Sequence, residues 1–197
     1  TALRLRRLAP PPCTPLLSRV GGRHGGGEAG ETSDPISTSG RSSRGLRRLI
    51  AIGDVHGCCH ALDAVLNAIE PTRDDQIVFL GDMVDSGKET REVLERIIAL
   101  KKECGVVLIQ GNHEEMMYAA RENEKALRYW ENCGGVQTLN SYHFGGTLAD
   151  IPAEHWQLLD TCVSYYEIDD FILTHANYVL DLAMADQPEY SLRWELF

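Results

Sequence analysis

With 197 residues, 43% of them hydrophobic and 24% charged, the chain has the length and composition of one domain with a substantial core, and its net charge is -10. The charge is uneven: residues 1–48 hold nine Arg against Glu28, Glu31 and Asp34, a surplus of +6 that leaves -16 on the remainder. Such an acidic body disfavours non-specific binding to nucleic acid or anionic membrane, and no run of about 18 apolar residues offers a transmembrane helix.

Residues 1–47 contain Pro10-Pro11-Pro12 and Gly25-Gly26-Gly27 and show no sustained apolar period, so they are expected to form a disordered leader. Their Arg and Ser content imitates an organelle transit peptide without the apolar stretch of a secretory signal, and the start at Thr1 points to a fragment or an over-extended reading frame. Cys13, Cys58, Cys59, Cys104, Cys133 and Cys162 form no CxxC pair and no disulfide framework. Reduced, mostly buried thiols in a soluble cytoplasmic protein are expected.

From Leu49 the pattern becomes strand, loop, helix, repeated. Leu49-Ile50-Ala51-Ile52, Ile77-Val78-Phe79-Leu80 and Val106-Val107-Leu108-Ile109 read as strands. Residues 58–69 carry Leu62, Val65, Leu66 and Ile69 at helical spacing, and residues 90–102 repeat the stripe with Val93, Leu94, Ile97 and Ile98. Alternation of this kind predicts parallel strands joined by right-handed crossovers, with helices packed on the sheet. A helical region over residues 115–131, broken at Gly134-Gly135, and a helix beginning near Pro152 read as a lid or cap. Residues 165–168 and 171–173 read as short strands around an Asp169-Asp170 turn, and the chain stops at Trp194-Glu195-Leu196-Phe197 in mid-pattern.

The loops after the strands carry the chemistry. Gly53-Asp54-Val55-His56-Gly57, Gly81-Asp82-Met83-Val84-Asp85-Ser86-Gly87 and Gly111-Asn112-His113-Glu114 each follow a strand, where open α/β sheets place their sites. Thr174-His175-Ala176-Asn177 is a fourth polar cluster at a strand end. Oxygen and imidazole donors suit hard or borderline divalent cations, and a pair of ions about 3.5–4 Å apart needs a bridging carboxylate. Asp54 and His56 are expected on a first metal, Asp82 as the bridge, and Asn112 and His175 on the second. His113 is expected beside the metals as general acid, oriented by Asp85, with a metal-bound hydroxide as nucleophile. A blander alternative has Asp54 and His56 capping a helix. His60, His143 and His155 are expected to be structural or solvent-exposed, and Tyr129, Trp130 and Tyr142 to pack a helix pair, with nucleobase stacking as the alternative.

These blocks resemble GDxHG, GDxxDRG and GNHE of the calcineurin-like metallophosphoesterases, in the phosphoprotein-phosphatase branch with its bacterial serine/threonine phosphatase and diadenosine tetraphosphate hydrolase relatives. Thr174-His175-Ala176 resembles the following HGG/HAG block, and the match covers roughly residues 48–197. The resemblance implies an αββα sandwich, a centre of two divalent ions (manganese, or iron or zinc), and hydrolysis of a phosphorylated protein or a dinucleoside polyphosphate. Two positions depart from it. Ser86 stands where the family has a phosphate-clamping Arg, and Lys88 follows where Pro is usual. Lys88 and Asn112 are the candidate substrate contacts, although a point charge does not replace a guanidinium fork, and a Lys at a helix start is commonly solvent-facing. Arg193 precedes Trp194 instead of following it as in Trp-x-Arg, and the family's last Gly-His block has no place before Phe197. A truncated chain lacking part of the second sheet is therefore expected. The rival readings are a catalytically degenerate module that binds metal or phosphate, and a structural adaptor using the acidic face.

Overall fold

The computed structural model describes residues 48–195; the leader expected over residues 1–47, with Cys13 and His24, lies outside the described residues. The described chain runs β1 (Leu49–Ile52), α1 (Cys59–Ile69), β2 (Gln76–Phe79), α2 (Thr90–Leu100), β3 (Gly105–Leu108), α3 (Asn112–Ala119), α4 (Glu124–Trp130), α5 (Val136–Tyr142), α6 (Ala153–Leu159), β4 (Tyr166–Ile168), β5 (Phe171–Leu173) and α7 (Glu189–Arg193). None of its helices is long and apolar enough to cross a membrane.

β1, β2 and β3 form a parallel sheet in that order, with Ile50 opposite Ile77 and Ile77 opposite Val106. Side chains alternate across a strand, and here both faces are apolar. Ile50, Ile52, Ile77, Phe79, Val106 and Leu108 join the core shared with the helices. Leu49, Ala51, Val78, Leu80, Val107 and Ile109 form a second core with Tyr166, Ile168 and Leu173 of β4 and β5. The arrangement is mixed α/β as expected, helices on one face of the sheet and the antiparallel β4–β5 pair on the other. Asp169, in left-handed backbone at φ 51, turns that pair.

The helices depart from their predicted outlines in ways the packing explains. Val65 was expected on the buried stripe of α1 but is exposed, leaving Leu62 and Leu66 as its buried residues. α1 packs beside α2, whereas α2 is flanked by α1, α5 and α6 and buries Thr90, Val93, Leu94, Ile97 and Leu100. The single helix predicted from residue 115 is two helices. α3 starts three residues earlier, at Asn112, and Asn123 restarts the chain as an N-cap whose side chain accepts from the Ala126 N–H at 2.9 Å. A π-type turn over Glu131–Gly135, kinked at Gly134 (φ 112), joins α4 to α5. The cysteines are less buried than expected: Cys58 is exposed, and Cys59, Cys104, Cys133 and Cys162 are partly covered and unpaired.

One ion pair ties the start of β1 to the loop before β2. Asp75 is buried and accepts from Arg48 Nε at 2.8 Å, Arg48 Nη2 at 2.6 Å and the Thr72 N–H at 2.6 Å. Arg48 first, and the Thr72 N–H next, hold its carboxyl well below the ordinary value of 3.8. A depressed folded pKa means that the stabilisation is complete above 3.8 and drains away as the pH falls below it. Urea midpoints should therefore drop as the pH falls from about 4 toward about 2, and the Asp75→Asn protein should show a smaller drop over the same range.

Candidate metal centre

The chain reaches one locus four times, at the carboxyl end of β1, β2, β3 and β5. Backbone bonds stitch the first two loops together: Val55 and His56 N–H donate to the Asp82 carbonyl at 3.0 and 2.9 Å, and Gly57 N–H to that of Met83 at 3.0 Å. The turn is tight enough that His56, Asp82, Asp85 and Ser86 all take left-handed backbone, at φ 45, 52, 70 and 67. Non-glycine residues rarely do so, and such strain gathers at functional sites. Gly111 has no substitute: a Cβ there would overlap Asp82 Oδ1.

Asp82 is the centre of this locus. Its Oδ2 lies 3.7 Å from His56 Nε2 and 3.5 Å from His175 Nε2. Two groups of donor atoms converge, His56 with Asp82 and His113, and Asp54 with Asp82 and His175, each with its atoms within 4.8 Å of one another. The grouping differs from the sequence expectation, which put Asp54 and His56 together. The left-handed turn at His56 breaks the alternation of an extended segment. Asn112 enters through its Oδ1, 3.0 Å from His175 Nε2.

The donor set fits a cation on chemical grounds. His56 Nδ1 lies 3.0 Å from the Val84 carbonyl and His175 Nδ1 lies 2.8 Å from that of Leu80. A carbonyl only accepts, so each Nδ1 carries a proton, and in the neutral ring each Nε2 presents a lone pair toward Asp82. At His175 that lone pair, Asn112 Oδ1 and Asp82 Oδ2 are three acceptors facing one another. A divalent ion satisfies them all.

His113 and Asp85 form the adjoining pair. His113 Nδ1 is 2.9 Å from Asp85 Oδ2, and its ring stands edge-on to that of His56 at 4.7 Å between centroids. Burial pushes the His113 pKa down, but the Asp85 hydrogen bond and the charges of Asp82, Asp85 and Glu114 outweigh it, and the net direction is up. Lys88 is exposed on the segment before α2, and Ser86 is exposed with its N–H on the Gly134 carbonyl at 3.3 Å. Of the remaining histidines, His60 pairs with Glu89 at the surface, His143 with Asp150, and His155 is buried against Tyr142.

Sequence reasoning gave no role to Glu114 or Thr138, and none beside Asp85 to Trp130. Glu114 is fully buried and accepts four backbone N–H groups, from Asp82 (2.9 Å), Met83 (2.7 Å), Val84 (3.3 Å) and Gly111 (2.9 Å). It fastens the loop after β2 to the loop after β3. Its bond to Gly111 is half of a capping box, and a Glu three residues past the N-cap was the available signal. Trp130, expected to pack a helix pair, is buried and donates Nε1–H to Asp85 Oδ2 at 2.8 Å. Thr138 donates to Asp85 Oδ1 at 2.8 Å.

The profile of the calcineurin-like phosphoesterase family matches residues 47–189, a span that contains all four site loops. The chain belongs to that family. Among curated relatives, Serine/threonine-protein phosphatase 1 of Salmonella typhimurium is 26% identical over 154 residues, covering 78% of this chain and 65% of that protein. The symmetrical bis(5'-nucleosyl)-tetraphosphatase of Bordetella pertussis is 41% identical over 71 residues, covering 35% of this chain and 25% of that protein. The chain thus spans less than two thirds of either relative's length. A solved structure of a proposed diadenosine tetraphosphatase superposes with a TM-score of 0.55 at 19% identity, over 73% of this chain and 56% of that one, a likeness of fold.

Proposed function

We propose that the chain is a metal-dependent phosphoester hydrolase, acting in the cytoplasm on phosphorylated proteins or dinucleoside polyphosphates. The observation that carries the proposal is the shared Asp82 carboxylate between two converging donor groups. Asp54, His56, Asp82, Asn112 and His175 are the ligand set, with manganese the first choice and iron or zinc the alternatives. When bound, two such ions offset the charge on phosphoryl oxygens and activate water. The protein's own part is to hold His56 and His175 in the ligating tautomer, to keep the loops in register through Glu114, and to aim His113 at the leaving oxygen with Asp85 on its far nitrogen. In this reading Asn112 and Lys88 contact the phosphate. No nucleic acid or membrane partner is part of it, and the free thiols support a reducing compartment.

The test is a panel of phosphopeptides, dinucleoside tetraphosphates and an aryl phosphate, with and without manganese. Metal-dependent release of phosphate or nucleotide from one class supports the hydrolase and names its substrate. Manganese uptake with background turnover on every member selects instead the binding module, the reading favoured by Ser86 at the usual Arg position. No manganese uptake sinks both.

A further inference from the structure

We propose that Trp130 and Thr138 are positioning residues that fix the tautomer and direction of His113 by clamping Asp85. The proposal rests on the reading of His113 as proton donor and adds the part of the chain that makes the donor work. Asp85 is fully buried, and each of its oxygens is held. Oδ1 accepts from Thr138 Oγ1 at 2.8 Å, and Oδ2 accepts from Trp130 Nε1 at 2.8 Å and faces His113 Nδ1 at 2.9 Å. A carboxylate only accepts, so His113 must present Nδ1–H to it, and the other nitrogen is then free to face the Asp82 and His56 cluster. Without the two clamp donors the carboxylate is free to turn about its own bond, and His113 loses the partner that fixes its ring.

The clamp comes from a remote part of the chain, 45 residues away for Trp130 and 53 for Thr138. Its backbone is shaped for the task. A Cβ on Gly135 would collide with the Trp130 indole, so that glycine makes room for the ring, and the left-handed Gly134 turns its carbonyl to the Ser86 N–H. Thr138 also accepts the Asp85 N–H at 2.9 Å and pairs with Thr90 Oγ1 at 3.1 Å, which ties the clamp to the first turn of α2. The kinked α4–α5 segment is thereby a scaffold for the Asp85 carboxylate. Both clamp bonds end on Asp85, which is not among the proposed ligands Asp54, His56, Asp82, Asn112 and His175, so metal uptake should depend on them little.

The experiment compares the full 197-residue chain with Thr138→Val, with Thr138→Ser, and with Trp130→Phe combined with Thr138→Val. Long-range proton–nitrogen NMR on the metal-free proteins, at an alkaline pH where the ring is neutral, reads the His113 tautomer. The unaltered chain and Thr138→Ser should show Nδ1–H. Thr138→Val should shift the tautomer ratio about tenfold toward Nε2–H, the scale of one charge-assisted hydrogen bond, and the double variant further. Manganese affinity should stay within about twofold, since the side-chain bonds of Trp130 and Thr138 run to Asp85 and Thr90 and, unlike those of Glu114, hold no proposed ligand or its loop partner in place. On phosphate esters, kcat for an alkyl leaving group should fall about tenfold and kcat for a nitrophenyl ester hardly at all, with KM unchanged, because only a poor leaving group needs the proton. A tautomer ratio unmoved by Thr138→Val, or an equal loss on both esters, overturns the clamp. If the unaltered chain hydrolyses neither ester, the hydrolase reading is what fails, and the tautomer ratio still decides the clamp.

Discussion

Replacing Asp82 by Asn should stabilise the metal-free fold while removing its manganese binding and, with it, at least about 10³-fold of turnover, the several kcal/mol that two-metal charge stabilisation supplies. The two effects have one source. Asp82 is buried, and its charge is one of the causes that push the Glu114 pKa up, so two carboxylates confront each other and, among the described residues, no Lys or Arg pairs with either. Neutralising one relieves that repulsion. Asn keeps an oxygen for the His113 N–H that Asp82 Oδ1 accepts at 3.1 Å, and Asn tolerates the left-handed φ of 52 at this position. The gain should be about 1 kcal/mol, a rise in metal-free Tm of about 2–4 °C for a domain of this size. Thermal scans with and without manganese check both halves: the unaltered chain should gain Tm on adding the metal, and Asp82→Asn should not. A metal-free Tm that falls instead would mean that Asp82 serves the fold before it serves a cation. This is the expected trade between a site's function and the stability of the protein that carries it.

What the sequence made legible follows from range. Each ligand candidate stands in a short glycine-bounded block just past an apolar run, so residue type, local backbone and strand end could be read together from a handful of positions. His56, Asp82, Asn112 and His175 do meet, and Asp54 joins Asp82 and His175. The helix starts were less legible. Asn112 and His113 looked like loop residues because nothing apolar follows them at once, yet Gly111 caps α3 and Glu114 closes its first turn. Glu114 was legible at most as a capping residue three past the N-cap, and its bracing of two loops was not, since only their convergence buries it. Trp130 and Thr138 were hidden by distance along the chain: their partner is an Asp in another loop, and no periodicity connects them. The two faces of the parallel sheet, by contrast, were implicit in runs with no polar alternation, because a strand that is apolar on both sides must be covered on both sides.

Glu114→Gln should destabilise the protein by about 3–5 kcal/mol and weaken manganese binding by about 10–100-fold, even though residue 114 touches no metal in the proposed site. Oε1 accepts the N–H groups of Met83 and Val84, and Oε2 those of Asp82 and Gly111, so both oxygens are saturated by donors on two separate loops. An amide of the same shape offers one oxygen and one NH2. Whichever way it turns, its NH2 meets two backbone N–H groups head-on, and buried donors left without acceptors cost about 1–3 kcal/mol each. Burial and the Asp82 charge work against the carboxylate, raising its pKa, while the donated N–H bonds pull the other way. The net loss in the variant is therefore smaller than the roughly 6 kcal/mol of two full penalties, yet it remains a large share of the roughly 5–15 kcal/mol that holds a domain folded. The loss of affinity follows from the same bonds. Asp82 and Asn112 reach the cation site from the two loops that Glu114 holds together, and a shift of either backbone moves its ligand off a centre with narrow distance tolerance. Urea titrations of the metal-free chain measure the first effect, and calorimetric manganese titrations the second. If Glu114→Gln leaves the urea midpoint in place, the brace is not bearing the loops. If it lowers the midpoint but spares manganese affinity, the ligands are held by their own strands, and Glu114 serves the fold alone.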